Sequence, residues 1–168
     1  YGGYETYDAA QNQRTLADLQ VTEWLLSQFS TIDEVKAALS SVRVVGLEKT
    51  AVVHWRIGEP SGRQVVLEIV GGVPHFYENT VGVLTNAPGF EWQLTNLNNY
   101  VNLHPGDASM QKLSGITLQP TGGNSGFLGI PGDATPPSRF VRAAFYRGTA
   151  PQRATGFDTV QQCFHLLN

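Results

Sequence analysis

The stretch Gln64-Val65-Val66-Leu67-Glu68-Ile69-Val70-Gly71-Gly72-Val73-Pro74-His75-Phe76-Tyr77 decides the fold class. Two runs rich in β-branched and aromatic residues flank a Gly-Gly pair, a two-residue turn signal, so the stretch reads as two antiparallel strands. Working outwards, Pro60-Ser61-Gly62 separates the first run from another, Ala51–Ile57, and Val42–Val45 is a further short run of the same kind. Val81–Leu84 reads as a last strand, closed by Thr85-Asn86-Ala87-Pro88. Together these runs predict an antiparallel meander. Before it, Leu16, Leu19, Trp24, Leu25, Leu26 and Phe29 recur mostly at helical spacing, which predicts an amphipathic helix over 16–29. Ser30 and Thr31 followed by Asp33 and Glu34 give a second helix a side-chain cap and an acidic first turn, running to about Leu39. After the meander, residues 85–138 read mostly as loop, with a short helix near Glu91–Leu103. Helices follow at Ser138–Arg147, with Phe140, Ala143, Ala144 and Phe145 available for a core face, and at Asp158–Leu167. Segment 1–11 is Gly/Tyr-rich and reads as a loop. Helices, then a meander, then helices predict an α+β protein, an antiparallel sheet covered by helices in one domain.

Composition bounds the partners. The chain has 168 residues, enough for one domain with a real apolar core. Hydrophobic residues make up 41%, charged residues 15%, and net charge is -3, so the chain is not a disordered one. The same balance gives no electrostatic reason to expect nucleic acid or an acidic membrane. With 18 glycines and 9 prolines, irregular loops take a large share. One cysteine, Cys163, excludes an internal disulfide and a multi-cysteine zinc site. No apolar run approaches the roughly 20 residues of a membrane span. The sequence opens at Tyr1 without an initiator Met and closes at Asn168 inside an expected helix, so it reads as a piece of a longer protein.

Few residues carry chemistry on their own. Cys163 and His165 lie two apart on a predicted helix, so their side chains diverge by about 200° and cannot form a nucleophile–base pair. Cys163 reads as a buried structural thiol. His54, His75, His104 and His165 lack ligand spacing, and the strand histidines read as half-buried, hydrogen-bonded groups. Gly123, Gly126, Gly129 and Gly132 match neither a phosphate-binding loop nor a nucleophile elbow, and read as a loop that can approach another segment closely. Asn86 follows an expected strand end, where its amide either closes an Asx turn or points into a cleft as an oxyanion donor. Arg139 sits in the first turn of a helix, the unfavourable end of the dipole for a cation. Either it serves a carboxylate or thiolate partner, or it is an ordinary surface charge.

Two blocks go further. Asn79-Thr80-Val81-Gly82-Val83-Leu84-Thr85-Asn86-Ala87-Pro88-Gly89-Phe90-Glu91-Trp92-Gln93-Leu94-Thr95-Asn96-Leu97-Asn98-Asn99-Tyr100 resembles the choloylglycine hydrolase family, which holds penicillin V acylases and conjugated bile salt hydrolases. Gly129-Ile130-Pro131-Gly132-Asp133-Ala134-Thr135-Pro136-Pro137-Ser138-Arg139-Phe140-Val141-Arg142 is similar to the family's Leu-Pro-Gly-Asp…Ser-x-Arg-Phe signature. Weaker agreement covers nearly the whole chain, through Asp33-Glu34-Val35, His54-Trp55, Val66-Leu67-Glu68 and Phe164-His165-Leu166-Leu167.

The resemblance implies an N-terminal-nucleophile hydrolase with an αββα sandwich. In that family an N-terminal Cys, exposed by processing, attacks a linear amide with its own α-amine as base. It implies that Asn86 donates to the tetrahedral oxyanion and that Arg139 sits by the nucleophile, favouring its thiolate. The nucleophile and the family's nearby Arg and Asp would precede Tyr1, a backbone N–H oxyanion donor would fall at or just before it, and C-terminal strands would follow Asn168. Residues 1–168 would then be the central part of one domain, inactive alone. The implied substrate is a small-molecule amide, either penicillin V or a glycine or taurine bile acid conjugate, with no cofactor and no metal. Phe90, Trp92 and Phe127 either line its acyl pocket or fill the core. A homotetramer is implied for the full-length protein, in the cytoplasm or periplasm of a bacterium. The different class to hold against this is a non-catalytic relative that only binds an acyl or amide ligand.

Overall fold

The computed structural model describes residues 14–46, 53–123 and 125–167, and the expected loop at 1–11 lies outside them. The chain falls into two compact units, Tyr1–Glu91 and Trp92–Asn168. In the first unit, strand β1 (Arg14–Ala17) leads through a 3-10 turn into helix α1 (Val21–Gln28), then helix α2 (Ile32–Leu39) and strand β2 (Val42–Val45). Strands β3 (Trp55–Gly58), β4 (Gln64–Val70) and β5 (Val73–Glu78) form an antiparallel sheet with β4 at its centre.

The centre is set by side-chain alternation. Residues 65–69 of β4 are all buried, which requires cover on both faces of the sheet. On one face Leu67 and Ile69 meet Trp55 of β3, Val21 and Leu25 of α1, Val35 and Leu39 of α2, and Val44 of β2. Both helices present these residues at i and i+4, one stripe each. The Gly71-Gly72 turn has φ of 57° and 81°, positive at both central positions as a type I′ hairpin turn requires, and it pairs Val70 with Val73.

Helix α2 begins where its sequence predicts. The Thr31 hydroxyl accepts from Glu34 N–H at 3.3 Å, while Glu34 Oε2 accepts from Ser30 and Thr31 N–H at 2.8 and 2.9 Å. Those two backbone donors hold the Glu34 carboxylate below its usual range. Glu59, from the β3–β4 turn, accepts from Ile32 N–H at 2.8 Å and so fastens the helix start to the sheet. Arg63 adds a surface tie, donating to Glu78 on β5 at 2.6 Å and to Asp33 on α2 at 2.9 Å.

Three sequence expectations change here. The helix expected over 16–29 is shorter, because residues 14–17 pair with β2 as a strand; Leu19 and Leu26 stay exposed. Strand β2 pairs in parallel with β1 instead of joining the meander. Val81–Leu84 forms no strand. Asn79 bends the chain instead: its Oδ1 accepts from Gly82 N–H at 2.8 Å and its Nδ2 donates to the Val83 carbonyl at 3.1 Å.

Helix α3 (Phe90–Asn96) spans the boundary between units and runs on as a 3-10 turn to Tyr100. In the second unit, a hairpin of β6 (Gln111–Leu113) and β7 (Ile116–Leu118) occupies ground expected to be loop. Ser114 and Gly115 turn it with φ of 47° and 85°. Helices α4 (Pro136–Thr149) and α5 (Gly156–Leu167) follow and touch each other. Proline at the first two positions of α4 forfeits only N–H groups that have no partner within a helix. Phe140 and Val141 of α4 are fully buried.

This packing predicts that Leu67→Ala destabilises the protein by about 2–5 kcal/mol, as truncation at a filled core site does. Leu26→Ala, at a side chain 82% exposed, is expected to leave the urea midpoint nearly unmoved.

Candidate functional site

Asn86 lies on an irregular segment between β5 and α3 rather than at a strand end, and its side chain is exposed. The segment is held from both sides. Upstream, Asn79 is 4% exposed and makes the two bonds that shape residues 79–83; its own N–H donates to the Gln64 carbonyl at 2.8 Å. Downstream, the Ala87–Pro88 peptide is cis and Phe90 opens α3. The Phe90 N–H donates to Glu68 Oε1 at 2.8 Å, and His54 Nδ1 lies 3.1 Å from the same oxygen.

Glu68 is 2% exposed in the middle of β4, where a carboxyl group lacking partners would be costly. It occupies the sheet face opposite the helix core, beside His75 in register, with Tyr77 two residues on. Tyr77 packs at 6.1 Å on Phe90. Burial, then the charges of Glu68 and Glu91, push its phenol above the ordinary range. His54 is half-buried and hydrogen-bonded as expected, but it sits just before β3 rather than within a strand.

Phe90 itself has no exposed surface. Of the two roles open to it in the sequence, the core role is the observed one, because the first turn of α3 seats the ring against Tyr77. As a substrate contact it is corrected.

Arg139 belongs to the second unit. It is exposed in the first turn of α4, and its N–H makes an early helical bond to the Thr135 carbonyl at 2.9 Å. The loop before it folds around Asp133. Oδ2 of Asp133 accepts from the Ser138 hydroxyl at 2.6 Å, and Oδ1 from Thr135 N–H at 2.9 Å. The Ser138 hydroxyl, then the hydroxyl and N–H of Thr135, hold the Asp133 carboxylate well below the usual range. Its negative charge at the start of α4 favours the helix dipole and offsets the misplaced cation. Arg142, one turn on, donates from Nη1 to the carbonyls of Pro131 and Asp133 at 2.8 and 2.7 Å. Asp133, Ser138 and Arg142 thus shape the loop that presents Arg139.

Trp92 is 48% exposed on α3. Phe127 is partly buried with φ of 59°, its N–H donated to the His104 carbonyl at 2.8 Å. Its ring meets Phe145 and Tyr146 edge-on at 6.3 and 5.6 Å. With Val101, His104, Met110, Ser125 and Leu128 it lines an open hollow of about 560 Å3. Gly126 is the close approach expected of the glycine-rich loop: a Cβ there would collide with the Pro105 carbonyl oxygen. Asn86 and Phe90 therefore belong to the first unit; Trp92, Phe127 and Arg139 belong to the second.

Cys163 is exposed on α5, not the buried thiol expected; Phe157, Val160, Phe164 and His165 of the same helix are exposed as well, so the helix offers no buried face at that position. Among the described residues no group of three or more His, Cys, Asp or Glu could hold a metal ion. No helix among them is long and apolar enough to cross a membrane. Sequence reasoning passed over Glu68 and Asn79. The available signal for Glu68 was a single acidic residue inside an otherwise apolar run.

The fold is that of the N-terminal-nucleophile hydrolases, mixed helix and sheet with antiparallel sheets. The whole chain superposes on a crystal structure of a variant of conjugated bile acid hydrolase from Clostridium perfringens with a TM-score of 0.82 at 32% identity, covering 52% of that chain. Penicillin V acylase from Agrobacterium tumefaciens shares the fold, with a TM-score of 0.72 at 19% identity over 99% of this chain and 46% of that one. The sequence model for linear amide C–N hydrolases of the choloylglycine hydrolase family matches residues 1–168, and the chain belongs to that family. It is 35% identical over 150 residues to a bile salt hydrolase/transferase of Clostridium perfringens, covering 86% of this chain and 46% of that protein. It is 36% identical over 159 residues to a conjugated bile acid hydrolase of Lactobacillus acidophilus, covering 90% and 50%. The chain spans about half the length of the curated relatives it matches.

Because the Asp133 carboxylate is held low by the folded loop, what it contributes is present above the ordinary Asp value of about 3.9 and is lost only as pH falls further. NMR titration is expected to find Asp133 ionised well into acid. Ser138→Ala, which removes the first of its donors, is expected to return its midpoint towards the ordinary value.

Proposed function

We propose that the protein containing this chain hydrolyses a linear amide C–N bond with an N-terminal cysteine thiolate, and that this chain supplies Asn86 as oxyanion donor and Arg139 as the cation beside the nucleophile. The observation that carries the reading is family membership along all 168 residues, with both signature blocks present in order. The thiolate attacks the amide carbonyl, and the carbonyl oxygen becomes an anion that accepts from Asn86 Nδ2. The α-amine has taken the thiol proton, and as collapse expels the amine the α-ammonium returns that proton to it. Water, deprotonated by the α-amine, then attacks the thioester and releases the acid, and the proton goes back to the cysteine sulfur. A guanidinium at Arg139 favours the thiolate over the thiol.

Local structure supports both roles. A fixed amide donor contributes through pre-organisation, and the Asn86 segment is tied at both ends while its side chain faces solvent. Arg139 is likewise exposed on a loop held by other residues. Trp92 and Phe127 remain the candidates for the acyl pocket. The relatives named as bile salt or conjugated bile acid hydrolases favour a glycine or taurine bile acid conjugate as substrate. The chain spans about half the length of these relatives, and the cysteine nucleophile is assigned to the rest of the protein.

The test is turnover of glycocholate beside penicillin V by the full-length protein. Asn86→Ala is expected to lower kcat by about 10²–10³-fold, the scale of losing one oxyanion donor. Arg139→Ala is expected to lower it too, while Cys163→Ser leaves it unchanged and residues 1–168 alone turn over neither amide. Full rate in both Asn86→Ala and Arg139→Ala refutes the assignment; binding of either amide without turnover by the full-length protein favours a non-catalytic relative.

A further inference from the structure

We propose that Glu68 is a positioning residue for Asn86, acting through the backbone of Phe90; the inference rests on the reading of Asn86 as oxyanion donor. Glu68 is the acidic residue of an otherwise apolar central stretch and is 2% exposed. A carboxyl group persists there only where hydrogen bonds replace its water. One of its oxygens, Oε1, takes both the Phe90 N–H at 2.8 Å and the contact with His54 Nδ1 at 3.1 Å.

The Phe90 N–H is the first of helix α3, one of the donors that a helix cannot satisfy from within. A local side-chain cap usually serves such donors. Here the residues before the helix are Ala87, Pro88 and Gly89, and none carries a side-chain acceptor. The acceptor comes instead from the central strand, 22 residues back in sequence. A local cap would end the helix equally well but would not tie its start to the sheet; Glu68 does both. Asn86 lies four residues before that tie, and Asn79 supplies the opposite tie seven residues before Asn86. The Asn86 backbone therefore runs as a short span between two buried polar anchors. The Glu68 anchor fixes where its amide points without touching substrate.

The test uses the full-length enzyme on the amide it turns over, so that an inactive wild type counts against the hydrolase reading and not against the Glu68 tie. Glu68→Ala is expected to lower kcat by ~10–100-fold with KM little changed, the scale on which a misplacement of about 1 Å acts. Glu68→Gln keeps an oxygen acceptor and is expected to recover most of the rate. In an Asn86→Ala background, Glu68→Ala is expected to cost nothing more, because the two act as a unit. In the wild type, the Phe90 amide is expected to exchange at least ~100-fold more slowly than an open helix-start amide. That measurement stands even if Glu68→Ala fails to fold. Wild-type kcat in a folded Glu68→Ala, the same fold loss with and without Asn86, or an unprotected Phe90 amide overturns the proposal.

Discussion

Strand β4 buries residues 65–69 on both faces, and the first unit is arranged around that demand. One face is met in the ordinary way: α1 and α2 lay an apolar stripe each across Leu67 and Ile69. The other face carries a carboxyl group at its centre, and a carboxyl group cannot be covered by hydrocarbon at tolerable cost. The start of α3 meets it with a donor, and His54 Nδ1 lies in hydrogen-bond contact with the same oxygen. The chain that delivers α3 to that position is the segment bearing Asn86. A burial requirement in the sheet is thereby converted into a fixed course for a loop.

The second unit solves a similar problem differently. Arg139 stands in the first turn of α4, where its charge is poorly placed with respect to the helix dipole. The loop before it wraps an ionised Asp133 between Ser138 and Thr135, and Arg142 clasps the carbonyls of Pro131 and Asp133. In both units the candidate functional side chain is exposed while its neighbours hold the backbone. Each of the two sequence blocks contains the candidate residue together with groups that hold its segment.

Strands β4 and β5 were legible to within a residue because β-branched runs around a Gly-Gly pair admit few other conformations. The start of α2 was legible because its capping groups lie within four residues of one another. What could not be read locally was decided by pairing at a distance. Leu16 continues a helical pattern, yet the open edge of Val42–Val45 takes residues 14–17 as a partner. Val81–Leu84 has strand composition, yet a buried Asn79 turns the chain before a strand can pair. The hairpin at Gln111–Leu118 went unnoticed because its strands are only three residues long, too short for an alternation to stand out. Asn86 and Arg139 were named through the family resemblance; residue types alone left each open between a functional and an ordinary role.

The proposed reaction needs the Asn86 amide and the Arg139 guanidinium to act on one substrate. A crystal structure of the full-length protein with an unhydrolysed amide bound tests it most directly. Asn86 Nδ2 is expected within hydrogen-bond distance of the substrate carbonyl oxygen, with the Arg139 guanidinium beside the nucleophile. A carbonyl oxygen held by other donors, with Asn86 and Arg139 opening onto different surfaces, would contradict it.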